Sequence, residues 1–307
     1  MRIVAIILLI SLVALAAGGL WLHAPDKSRA VLEPIYAPAP SGFVLVGGIR
    51  FHVRDTGPRD APVVILLHGF GASLHTWEAW ARTLSADRRV IRLDLPGFGL
   101  TGADPTGDYS DARAVTLLAG LMDRLAVPRA SLVGNSMGGR IAWKFALALP
   151  ERVDRLVLIS PDGFASPGMA YGQKASVPVV ARLLPYFLPT AMLRANLAPS
   201  YADPARLTDG TVVRYRDMLL APGVRHAILA RTGQVVLEDP VPLLGHLKAP
   251  TLVLWGEKDG MIPFSNAADY LAAIPNATLV SLPDLGHVPH EEAPAVSLSP
   301  VRAFLAD

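Results

Sequence analysis

A serine between glycines, with an aspartate and then a histidine far downstream, has the residue types for acyl transfer. Gly134-Asn135-Ser136-Met137-Gly138 follows the apolar run Ala130–Val133 and precedes the helix-like stretch Arg140–Leu149. On so tight a strand-to-helix turn, a Cβ two positions before or after the serine would collide with neighbouring backbone. The serine Oγ is thereby exposed at the sheet's edge, at the amino end of a helix whose dipole favours developing negative charge. Chemistry there needs a base within reach, and the base needs an orienting acid. Of the eight histidines, His287 is the candidate base: it ends Pro283-Asp284-Leu285-Gly286-His287, just after the last expected strand. Gly286 is read as letting the backbone turn to present the imidazole, and His290 is the rival. Asp259, in Trp255-Gly256-Glu257-Lys258-Asp259, is the candidate acid, with Glu257 the nearest alternative. The chain order Ser, Asp, His suits a serine mounted in this way. Two backbone N–H groups, those of Phe70 and Met137, are the expected oxyanion donors. Their side chains could also line an apolar pocket. His68 is read as bracing its own loop through backbone bonds, and Asp94 as a turn carboxylate capping nearby N–H groups.

These residues need a sheet to hold them. Phe43–Val46 and Arg50–Arg54 around Gly47-Gly48 form a hairpin pattern. Pro62–Leu67, Arg89–Leu93, Ala130–Val133 and Arg155–Ile159 then read as buried strands, with helical patterns at Trp77–Leu84, Asp111–Leu125 and after Ser136. Such alternation predicts a mostly parallel sheet with helices on both faces. It stops from Pro161 to about Pro240, where short helical patches (Val179–Leu184, Ala191–Leu197, Thr211–Leu220) suggest a lid over the carboxyl edge. It resumes with Thr251–Trp255, a helix around Phe264–Ile274, the strand Ala277–Leu282 and a closing helix near Ala295–Leu305. The expected divisions are 1–25, an anchor or signal; 26–41, a Pro-containing spacer; 42–160 and 241–307, the two parts of the core; and 161–240, the lid.

From about Gly42 onward the chain resembles the α/β-hydrolase superfamily, which implies an eight-stranded, mostly parallel sheet and serine hydrolase chemistry. Gly134-Asn135-Ser136-Met137-Gly138-Gly139 looks like the elbow of the meta-cleavage product hydrolases, which split a carbon–carbon bond in dienoic ring-fission products. That family usually places Trp after its catalytic His, where this chain has Val288, and a run of glycines where it has His68-Gly69-Phe70-Gly71. The resemblance also implies a lid arginine that grips substrate, and Arg214 and Arg216 fall in that region. Gly286-His287-Val288-Pro289, with Glu291 and Pro294, is closer to generic ester hydrolases. Epoxide hydrolases and haloalkane dehalogenases are similar too, but their nucleophile is a carboxylate, against Ser136 here.

Composition bounds the rest. With 307 residues, 51% of them hydrophobic, the chain can fill one large core and a lid. A net charge of +2 without a long basic block gives no reason to expect nucleic acid. No His/Asp/Glu cluster has ligand spacing and no nucleotide fingerprint opens the first βα unit, so neither metal nor cofactor is expected. Zero cysteines leave stability to the core and exclude lipid attachment through a cysteine. Residues 3–22 form an apolar run long enough to span a bilayer, with Arg2 on one side and Asp26, Lys27 and Arg29 on the other. The expectation is a membrane-anchored, exported catalytic domain; a signal cleaved near Ala14-Leu15-Ala16 would secrete it instead.

The resulting expectation is a serine hydrolase: Ser136 as nucleophile, His287 as base and then acid, Asp259 as its orienting partner, and no cofactor. The substrate would be an ester with an apolar acyl or aryl part. The apolar lid residues between Val177 and Leu193 are read first as the lid's own packing face; the other reading is that they line a pocket for this group or, next to a membrane anchor, touch lipid. Carbon–carbon hydrolysis of a dienoic acid is the alternative. A membrane-anchored binding protein without turnover is the alternative of another class.

Overall fold

Apolar residues at every strand position, rather than at alternate ones, are what a sheet covered on both faces demands. Strand β3 (Val63–Leu67) shows why: Ile65 and Leu67 join the core on one face, while Val64 and Leu66 join the core on the other. The same alternation runs along β6 (Val153–Ile159) and β7 (Thr251–Gly256). Besides these, the sheet contains β1 (Ser41–Val46), β2 (Ile49–Thr56), β4 (Arg89–Leu93), β5 (Ala130–Asn135) and β8 (Ala277–Leu282). Their spatial order is β1-β2-β4-β3-β5-β6-β7-β8; β2 is antiparallel to both neighbours and every later pairing is parallel. The expected eight-stranded sheet with an antiparallel start is therefore present. The computed structural model describes residues 22–165, 170–174 and 176–306.

Parallel strands bring their carboxyl ends to one edge, so the loops after β3, β5, β7 and β8 converge there. The helix Met137–Ala148 follows β5 directly and packs on β5 and β6. The lid has a 3₁₀ turn at Val179–Leu183 and helices Thr190–Leu197 and Asp209–Leu219. A further helix, Val224–Thr232, was not expected from the sequence, because Arg225, His226, Arg231 and Thr232 break its apolar pattern. Arg225 and Arg231 are nevertheless buried, their charged heads spent on carbonyl oxygens and on Asp26.

The reading of 26–41 as a spacer is corrected. Arg29–Tyr36 is a helix, Leu32 is fully buried in the core, and Ala24 donates its N–H to Tyr186 O at 2.8 Å. Lys27 Nζ (2.6 Å) and Tyr36 OH (3.0 Å) both bond to Asp217 on the lid helix Asp209–Leu219. Asp26 pairs with Arg225 at 2.6 Å, and Arg29 donates to Leu100 O at 3.1 Å. The segment straps lid to core. Its prolines suggested a linker because the partners that fold it lie far away in sequence. Among the described residues no helix is long and apolar enough to cross a membrane. The expected span, residues 3–22, lies outside the described residues except for Leu22.

Candidate active site

The turn after β5 has the geometry its glycines suggested. Ser136 is one of three non-glycine residues with positive φ (φ 53°, ψ −121°) among the described residues, a strained conformation of the kind that clusters at functional sites. A Cβ on Gly134 would lie 2.3 Å from Gly138 O, and one on Gly138 would lie 2.3 Å from Leu67 O. Both contacts are with backbone and cannot yield. Gly139 is as confined, with Pro161 Cβ at 2.8 Å. Ser136 remains partly accessible in an otherwise buried stretch, and Met137 begins the helix behind it.

Across the edge, His287 Nδ1 lies 2.8 Å from Asp259 Oδ2. The other carboxylate oxygen of Asp259 accepts N–H bonds from Met261 and Ile262, each at 2.8 Å. The Asp259 side chain is fully buried, and that of His287 nearly so. Glu257 is exposed and takes no part. His290 points away: its ring stacks on Trp77 with centroids 4.0 Å apart, and Nε2 meets Thr76 Oγ1 at 3.1 Å. Burial holds its pKa well below the usual histidine value.

Ser136, His287 and Phe70 line one cavity of about 310 Å³. Its walls include Leu184, Leu188, Met192, Leu193 and Leu197 from the lid, Leu219 and Ile228 beyond them, and Val288 beside the histidine. Met137, whose side chain was expected as a possible wall, is buried in the core instead. Neither Arg214 nor Arg216 reaches the cavity. Arg214 is bound to Glu291, which also accepts from Tyr215 OH at 2.9 Å and Thr76 Oγ1 at 3.1 Å. Arg216 Nε donates to Leu188 O at 3.2 Å.

The loop carrying Phe70 is held from two sides. His68 Nδ1 donates to Gly69 O at 2.8 Å and its Nε2 accepts from Leu95 N–H at 2.9 Å, so the buried ring is neutral and both nitrogens are used. Burial accordingly lowers its pKa. Asp94 accepts from Leu74 N–H (2.7 Å) and Leu100 N–H (2.8 Å), as a turn carboxylate should. It also pairs with buried His52 at 2.8 Å, and its pKa stays below the carboxylate range: although its burial opposes this, the charge and hydrogen bond of His52 prevail.

Three contributions escaped the sequence reading. Asn135 Nδ2 donates to His287 O at 2.9 Å and Ile159 O at 3.1 Å, tying the histidine loop to the serine turn. Gly256 lets the Asp259 and His287 loops touch, since a Cβ there would sit 2.3 Å from both Leu285 O and Gly286 O. A glycine directly after a strand and three residues before a candidate acid was the available signal. Glu292 accepts from Gly286 N–H at 2.8 Å and Asp203 N–H at 2.9 Å, joining the histidine loop to the lid. Gly286 itself serves close approach rather than turning: a Cβ would meet Ser200 O at 2.6 Å, and its φ is not positive.

Residues 62–294 match the alpha/beta hydrolase fold family, and the chain belongs to it. A 2-hydroxy-6-oxo-6-phenylhexa-2,4-dienoate hydrolase of Burkholderia cepacia is 32% identical over 253 residues, covering 79% of this chain and 86% of that protein. The meta-cleavage product hydrolase of Pseudomonas fluorescens IP01 superposes with a TM-score of 0.75 at 27% identity, over 86% of this chain and 97% of that one. A structure described as a membrane phospholipase A, a bacterial virulence factor, gives a TM-score of 0.74 at 26% identity, over 100% of this chain and 98% of that one. Relatives of the meta-cleavage type and the shared fold make the chain a hydrolase of this superfamily.

Proposed function

We propose that the protein is a serine hydrolase of carboxylic esters with an apolar acyl or aryl part. The observation that carries the choice of substrate is the cavity: its wall is mostly apolar, with Asn135, Asn196, Ser200 and Tyr215 as its neutral polar members, and, among the described residues, no arginine or lysine lines it to hold a carboxylate. In this reading Ser136 Oγ attacks the ester carbonyl while His287 Nε2 takes its proton. The Phe70 and Met137 N–H groups hold the oxyanion. Asp259 keeps the Nδ1 proton in place and stabilises the imidazolium, which then protonates the departing alkoxide. Water releases the acyl group by the same steps. The identity to dienoate hydrolases favours carbon–carbon cleavage as the second reading.

Turnover of p-nitrophenyl esters beside a 2-hydroxy-6-oxo-dienoate tests this. The ester should show the higher kcat/KM by at least about tenfold, roughly 1.4 kcal/mol of transition-state stabilisation. Ser136→Ala should remove ester turnover by several orders of magnitude and abolish fluorophosphonate labelling. Preference for the dienoate selects the second reading. Neither turnover nor labelling would make the chain a binding protein. We further propose that residues 3–22 hold the domain at a membrane on its exported side, with secretion after signal cleavage as the alternative. Carbonate-resistant membrane retention with the amino-terminal Met or Arg2 intact is expected, and a mature terminus at Ala17 would show cleavage.

A further inference from the structure

One exposed turn of the lid, residues 179–186, is apolar where a water-facing turn should be polar. Val179 and Val180 are 78% and 72% exposed, and Leu183 and Tyr186 are more than half exposed. Large exposed apolar patches mark surfaces that are covered in use. The inner side of the same short segment is the cavity wall, since Leu184 and Leu188 line the space that holds Ser136. Arg182, exposed among the apolar residues, forms no ion pair among the described residues. The amino-terminal chain arrives at this spot. His23 pairs with Phe187, and Ala24 N–H bonds to Tyr186 O at 2.8 Å, so the first described residues, which follow the apolar run 3–22 in sequence, lie against the patch.

We propose that this face, Val179, Val180, Leu183 and Tyr186 with Arg182, rests on a phospholipid bilayer, from which the cavity takes its ester. The aliphatic side chains enter the headgroup–acyl boundary, Tyr186 sits at the interface, and Arg182 meets lipid phosphate. The cavity wall of Leu184 and Leu188 then lies directly behind the surface that holds an apolar substrate, and His23 and Ala24 fix the lid at that depth. The surface rests on the exposed residues and on the membrane reading of residues 3–22; the nature of the substrate rests on the ester-hydrolase reading.

The absence of native cysteine makes single-site labelling clean. Full-length protein in phosphatidylcholine vesicles, bearing an environment-sensitive fluorophore at Val180→Cys, should give a blue-shifted signal quenched by nitroxide-labelled lipid. A label at exposed Glu151→Cys, just before β6 at the opposite edge, should stay unquenched. If the Val180 label remains as solvent-exposed as the Glu151 label in protein that floats with the vesicles, the proposal fails. A blue shift without lipid quenching also overturns it, because a second copy or segment 3–22 then covers the patch. The double change Val179→Asp, Val180→Asp should lower hydrolysis of a vesicle-held ester by about tenfold and leave a short soluble ester unaffected. Equal loss on both substrates counts against the proposal. A quenched Val180 label in a protein that hydrolyses no ester upholds the surface and removes only the ester reading.

Discussion

Both carboxylate oxygens of Asp259 have fixed partners, and that makes its substitution informative. In Asp259→Asn the amide oxygen would keep the Met261 and Ile262 N–H groups, so the NH₂ would face His287 Nδ1 and force the wrong tautomer. We expect a folded protein with kcat reduced about 10³–10⁴-fold. Glu257→Gln, at an exposed site, should change little; the reverse pattern would move the acid by two residues. Asn135 offers a second test, because its amide sits against two carbonyl oxygens. Asn135→Asp puts a negative charge beside the histidine loop, which should raise the pKa of the base and move the acidic limb of the kcat/KM profile upward. A lower rate with an unmoved limb would show that Asn135 only packs.

At the scale of elements, the amino-terminal strap and the lid hold each other. Asp217 is buried and takes both Lys27 and Tyr36, and burial with that hydrogen bond pushes the Tyr36 phenol up to about 12. Asp217→Ala should cost about 1–3 kcal/mol, the usual penalty for stranding a buried polar partner. Amide exchange should then accelerate in Arg29–Tyr36 and Asp209–Leu219 together; acceleration in one alone would mean the two do not move as a unit. The lid also grips the histidine loop through Glu291 and Glu292, so its position and that of His287 are coupled through short bonds.

Across the whole molecule, several buried imidazoles are held neutral. Burial pushes His75 down to about 4, and it lowers His68 and His290 as well. Unfolding frees these rings to take protons at their ordinary value near 6.5, so the unfolded state binds more protons between about pH 6.5 and 4. Stability therefore falls as pH drops through that window and is regained above it. For His75 alone the loss is on the order of 3 kcal/mol, by the value of a pKa unit. Urea midpoints at pH 7 and pH 5 should differ accordingly, and His75→Gln should shrink the difference. A midpoint independent of pH over this range would mean these rings are charged in the folded protein.

Local pattern by itself determined the strands, the alternation and the serine turn. Arg89–Leu93 and Ala277–Leu282 have the bounds read from the sequence, because each is a short apolar run closed by turn residues. The spacing of Gly134 and Gly138 likewise sets a contact within five residues, which sequence displays directly. What only the tertiary structure decided involves partners far apart in the chain. That His290 is withdrawn from the cavity turns on Trp77, which stacks on its ring from more than two hundred residues away. Arg214 looked like a substrate cation until Glu291, 77 residues on, was found to bind it. The strap looked like a linker because Asp217 and Arg225, which order it, lie roughly two hundred residues downstream. Hydrophobic periodicity records which face of an element is buried; it carries no record of which distant charge that burial brings into contact.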